Sequence, residues 1–200
     1  MNAQRPFAPS HPATLARRRL LAAGALTCLG VPPAVQANTG VGPVMPPVAA
    51  VPLRLRRHDG AASNLTAQLH GGSTAVQLMF TGCSTVCPIQ GALFSALQSA
   101  LLAERDATTR LLSLSIDPLA DDPAALSAWL RRFGAMPTWS AAAPAIEALD
   151  PMLLLFKGGA VAGDRHTGQV YLFDGYSRLV WRTSELPPAA EVMTALRRIA

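Results

Sequence analysis

An apolar run, TAVQLMF at positions 74–80, passes through a short cysteine-bearing turn straight into CPIQGALFSALQSALL, and this order constrains the fold more than any other feature of the chain. A run that is apolar almost throughout suits a strand buried on both faces. Beyond Pro88, the residues Ile89, Leu93, Leu97 and Leu101 recur every fourth position with Phe94 and Leu102 beside them, which predicts a helix with one buried face. Proline is well tolerated in a first helical turn. Cys87 therefore stands at or next to the start of this helix, and Cys83 lies in the turn before it.

The rest of the chain repeats the theme. RLLSLSI (110–116) reads as a second buried strand, stopped by Asp117-Pro118, and Asp121-Asp122-Pro123 starts a helix over AALSAWLRRF. PAIEALDPMLLLF reads as partly helical, interrupted at Pro151. QVYLF and RLVWR flank Asp174-Gly175 as a hairpin, and PPAAEVMTALRRIA is a terminal helix with arginines at its end, where the helix dipole favours them. LRLRRHDGA reads as a strand entering a turn at Asp59-Gly60. Strands alternating with helices, plus a late hairpin, make an α/β domain with a mixed central sheet flanked by helices. Half of the 200 residues are apolar, ample for such a core.

The N-terminal part is of another kind. Residues 1–37 contain no acid, carry Arg5, Arg17, Arg18 and Arg19, then the run LLAAGALTCLGV, and end in PPAVQA, the pattern of a cleavable export signal. The apolar run is shorter than the roughly 20 residues a spanning helix needs. Both twin-arginine and ordinary secretory export fit Arg17-Arg18-Arg19, and a lipoprotein reading would acylate Cys28. The expectation is a periplasmic protein that meets a membrane only through a partner or an uncleaved signal. Residues 38–52, small and proline-rich, read as a flexible leader, and residues 53–200 as the domain.

The formal charge of +5 belongs to the signal: four of the 17 basic residues lie there, leaving 13 against 12 acidic, a net of +1. No basic stripe remains to bind nucleic acid. Cleavage also removes Cys28 and leaves Cys83 and Cys87, which in an oxidising compartment form a disulfide, a redox couple or part of a metal site. Two thiolates suit Cu(I), zinc or an iron–sulfur cluster but leave a site incomplete, and histidine is the usual further ligand. His58 and His70, in glycine-flanked turns, read as surface residues. His166, in a small-residue loop that feeds a strand, is better placed to meet a neighbouring loop. Asp117 and Asp121 read as a strand end and a helix cap, the alternative being groups that support a metal ligand or meet a partner; Trp129, Trp139 and Trp181 read as core or rim aromatics, and Met79 and Met136 as core fillers.

FTGCSTVCPIQGAL resembles the Cys-x-x-x-Cys-Pro motif of the Sco (SenC) family of thioredoxin-like copper proteins. SIDPLADDPAALSAWLRRFGAMPTW and HTGQVYLFD are similar to two further segments of that family, in the same order. The resemblance implies a thioredoxin-like fold in which Cys83, Cys87 and His166 bind one copper ion, as Cu(I) or Cu(II). It implies a metallochaperone working with other copper carriers and a cupro-oxidase, the target being the copper site of cytochrome c oxidase subunit II. The enzymatic alternative is a thiol-disulfide oxidoreductase, with Cys83 and Cys87 as its redox pair, that keeps the target's cysteines reduced; an inert disulfide module is a third reading. The chain departs from the family pattern in placing Ser84, Thr85 and Val86 between its cysteines and Arg165 before the histidine.

Overall fold

The computed structural model describes residues 40–157 and 166–199. The export signal read over residues 1–37 and the loop residues Asp164 and Arg165 lie outside the described residues. The elements run β1 (Gly42–Ala49), β2 (Arg54–Arg57), β3 (Ala62–Asn64), α1 (Leu65–Leu69), β4 (Thr74–Met79), α2 (Val86–Ala103), β5 (Arg110–Ser115), α3 (Pro123–Arg132), β6 (Trp139–Pro144), a 3₁₀ turn (Ile146–Ala148), α4 (Leu149–Lys157), β7 (Val170–Phe173), β8 (Arg178–Arg182) and α5 (Ala189–Ile199).

They build an eight-stranded mixed sheet in the order β1-β8-β7-β4-β5-β6-β2-β3. β4, β5 and β6 are parallel, with Met79 level with Ser115, and β7 joins β4 antiparallel, with Val76 opposite Tyr171. Side chains alternate across these central strands into two separate cores. Ala75 and Met79 of β4 with Val170 and Leu172 of β7 pack toward Phe94, Leu97 and Leu101 of α2, Trp129 of α3 and Leu196 of α5. Val76 and Leu78 with Tyr171 and Phe173 pack toward Leu65, Leu69, Met152 and Phe156 on the other face. Burial on both faces is why these runs lack a polar alternation.

Four readings of strands, helix faces and core residues need correction here. Residues 42–49, inside the stretch read as a flexible leader, form edge strand β1, paired with β8 from Gly42 opposite Arg182 to Ala49 opposite Arg178. Prolines are compatible with an edge, where one side of the strand needs no partner. The buried stripe of α2 runs through Cys87, Gln90, Gly91, Phe94, Leu97, Gln98 and Leu101, so Ile89 and Leu102 face outward. Gly91 takes a core position because Phe133 presses there: a Cβ would lie 2.4 Å from its ring. Pro151 falls in the first turn of α4 rather than interrupting it. Met136 is exposed, whereas Met79 is fully buried as expected.

Candidate metal and redox site

β4 ends at Met79, and the chain turns with Cys83 N–H donating to Phe80 O at 3.2 Å. α2 then begins at Val86, and Thr85 at its N-cap offers no side-chain bond. Cys83 supplies one instead: the Cys87 N–H donates to Cys83 Sγ at 3.4 Å, so a sulfur does the work that a serine or aspartate oxygen does at other helix starts. The Thr85 hydroxyl lies 3.8 Å from the same sulfur. Both thiols are free and both residues buried.

The two sulfurs are electrostatically unlike. Burial opposes a charge on Cys83, but bonds from the Cys87 thiol and N–H and from Thr85 outweigh it and bring Cys83 down to about 7. Burial raises Cys87 first of all; the bond it makes to Cys83 and the negative charges of Cys83 and Asp121 add to this, against a backbone bond from Phe80, and it reaches about 12. A place at a helix start would by itself favour ionisation of the second sulfur; here the first is favoured, because the amide of Cys87 points back at Cys83.

Asp121 holds the turn. Its carboxylate, almost wholly buried, accepts from Thr81 N–H at 3.1 Å, from the Thr81 hydroxyl at 2.5 Å and from the Ser115 hydroxyl at 2.6 Å. It is not the helix cap read from sequence: Asp122 is, accepting from Ala125 N–H at 2.8 Å. A second acid directly before a sufficient cap was the available signal that Asp121 has other work. Asp117, by contrast, does lie in the turn after β5, accepting from Ala120 N–H at 3.3 Å.

His166 is exposed, and its ring sits over Phe80, centroid to centroid 5.3 Å, three residues before Cys83. The fold thus brings its loop to the root of the cysteine turn. Among the described residues no three His, Cys, Asp or Glu side chains close around one point. His58 and His70 lie elsewhere: His58 Nδ1 is 3.2 Å from Ala141 O, and His70 is an exposed residue whose backbone bridges to Tyr176. Trp139 is a core aromatic whose Nε1 donates to Ser113.

The SCO1/SenC family model matches residues 49–200. The chain belongs to the SCO1/SenC family. Similar solved structures include BsSco, from a study of a disulfide switch in this member of the Sco family of cytochrome c oxidase assembly proteins, at 20% identity and a TM-score of 0.65, covering 76% of this chain and 94% of that one. Yeast Sco1 with copper bound is 17% identical with a TM-score of 0.64, covering 76% and 88%. Bradyrhizobium japonicum ScoI with copper bound is 22% identical with a TM-score of 0.62, covering 76% and 100%. At these identities the likeness bears on the fold, which is thioredoxin-like as the sequence resemblance implied. No curated protein sequence matches the chain.

Proposed function

We propose that this SCO1/SenC protein is an exported copper-binding chaperone that carries one copper ion on Cys83, Cys87 and His166 and delivers it to a respiratory oxidase, with cytochrome c oxidase subunit II as target. The observation that carries this reading is the free dithiol at a strand-to-helix turn with the His166 loop brought over its root. The donor set fits the cargo: two soft sulfurs suit Cu(I), and an imidazole makes the same set acceptable to Cu(II). Copper-bound Sco relatives support the cargo, and the BsSco description supports the destination.

Chemically, the chain has to present thiolates and let them go. Cys83, lowered to about 7, is partly ionised at neutral pH and is the first donor to engage. Cys87 stays protonated until a cation replaces its proton, so loading releases protons and strengthens as pH rises. Titration of the reduced protein with Cu(I) against a chromophoric chelator tests the reading. His166→Ala should weaken binding by at least about tenfold while leaving the dithiol oxidisable. Wild-type affinity in that variant, or no binding by the reduced wild type, would defeat it.

The asymmetry of the two thiols specifically favours a second reading, a reductase of the target's disulfide. The Cys83 thiolate would attack one target sulfur and expel the other as a thiolate. Cys87 would then lose its proton and attack Cys83 Sγ, forming the Cys83–Cys87 disulfide and releasing the second target thiol, a two-electron transfer from dithiol to target. Burial, the first of the causes that hold Cys87 protonated, persists after Cys83 has reacted and would slow that second step.

A further inference from the structure

We propose that Glu185 is the positioning residue of His166, holding the foot of its loop so that the imidazole stays over the cysteine turn; this rests on the copper reading of His166 above. The carboxylate grips the two residues that follow His166. The Thr167 hydroxyl donates to Glu185 Oε1 at 3.1 Å, and the Gly168 N–H donates to Glu185 Oε2. The neighbouring Leu186 N–H donates back to Gly168 O at 3.0 Å, so both polar groups of the Gly168 backbone are tied to residues 185–186.

The approach is close enough that a side chain at position 168 would displace the carboxylate. A Cβ at Gly168 would lie 2.8 Å from Glu185 Oε2 and 2.9 Å from Leu186 Cγ. The grip also reaches the sheet, because the Thr167 hydroxyl accepts from Gln169 N–H at 3.1 Å and lies 3.4 Å from the Tyr171 hydroxyl of β7. From the α2 side, the buried Gln90 amide donates to Gln169 O at 3.5 Å, tying the cysteine helix to the same strand entry. An exposed ligand on a loop loses affinity through the freedom it must give up on binding, and a clamp at its root removes part of that freedom in advance. Glu185 touches neither thiol nor imidazole in any of these contacts, so its action runs through Thr167 and Gly168.

The test uses the full chain in reduced form, Cu(I) with a competing chelator, and the absorption spectrum of the Cu(II)-loaded form. Glu185→Ala should weaken copper binding by about tenfold and shift the Cu(II) absorption, as loss of a ligand's support does. Glu185→Gln keeps an oxygen for the Gly168 N–H and an amide for Thr167, and should restore most of both. Gly168→Ala should resemble Glu185→Ala. In a His166→Ala background, Glu185→Ala should add nothing. Wild-type affinity in Glu185→Ala, or an equal loss with and without His166, would overturn the proposal and leave the copper reading standing. Wild-type affinity in His166→Ala would remove that reading and this proposal together.

Discussion

The cysteine turn and the His166 loop approach the same place, but they are held in different ways. Cys83 and Cys87 are buried in the core that α2 shares with β4 and β7, and the turn before them is fixed by a buried carboxylate with three donors. His166 is exposed, in contact with the Phe80 ring, and fastened at its foot through Thr167 and Gly168. One arm is part of the fold, and the other is laid against it. Under the copper reading proposed above, this inequality would suit a carrier: the thiols would make a fixed seat, while a ligand on a surface loop would engage and withdraw without disturbing the core.

The two arms should differ most at the thiols. Cys83→Ser or Cys87→Ser should abolish tight Cu(I) binding and disulfide formation together, because an alcohol is neither a soft ligand nor a redox partner. Chelator competition and a free-thiol count after mild oxidation check both halves. Equal losses from His166→Ala would mean that the two arms are not different in kind. Next in size is the anchor of the fixed arm. Asp121→Ala strips Thr81 N–H, the Thr81 hydroxyl and the Ser115 hydroxyl of their acceptor and should destabilise the domain by about 3 kcal/mol in urea unfolding. It should also let Cys87 ionise at lower pH, since the Asp121 charge helps to hold it up.

The central part of the fold was legible because β4 and α2 carry strong patterns: an apolar run buried on both faces, then a period near four. What escaped lies where packing overrides pattern. Gln90, Gly91 and Gln98 occupy buried positions of α2 that a hydrophobic stripe would not assign them, the glycine because Phe133 leaves no room for a side chain. β6 is a strand built partly of alanines, which have little strand preference of their own, yet it pairs with both β5 and β2. At the site, the spacing of Cys83 and Cys87 and the place of His166 before a strand drew notice as chemistry, and the family resemblance joined the three. Their supports were harder to see: Asp121 stood out only as a second acid before a sufficient cap, while its contact with Thr81, 40 positions away, and those of Glu185 with Thr167 and Gly168, 18 and 17 positions away, follow from no local spacing.

The fixed arm also makes a signed statement about pH. Cys83 titrates at about 7 in the folded state against its ordinary 9.0, so it contributes stability that is present above 9 and lost as pH falls toward 7. Cys87 runs the opposite way. Its folded value of about 12 lies above 9.0, so burying it as a thiol favours the fold below 9 and costs stability as pH rises from 9 toward 12. The reduced protein's thiol-linked stability should therefore rise between pH 7 and 9 and fall above 9. The disulfide form should lack both slopes. Urea midpoints of the two forms across this range measure the difference, and a reduced protein with no excess slope would show that the sulfurs are not held unequally.

The smallest effect tests how the low value of Cys83 is divided. Of the bonds that lower it, those from the Cys87 thiol and N–H rank ahead of those from Thr85. The Thr85 hydroxyl sits 3.8 Å from the sulfur, long even for a contact to sulfur, and it is the only one of these donors that substitution removes without touching the second cysteine or the backbone. Thr85→Val keeps the branched shape at the N-cap and deletes that hydroxyl. The pH midpoint of Cys83 alkylation by iodoacetamide should then rise by only a few tenths of a unit. Cys87→Ala, which removes the thiol donor but keeps the amide, should raise the midpoint more. If Thr85→Val moves it as far as Cys87→Ala, the thiolate is held by the turn and not by its partner sulfur, and the inequality within the pair would have to be assigned to Thr85.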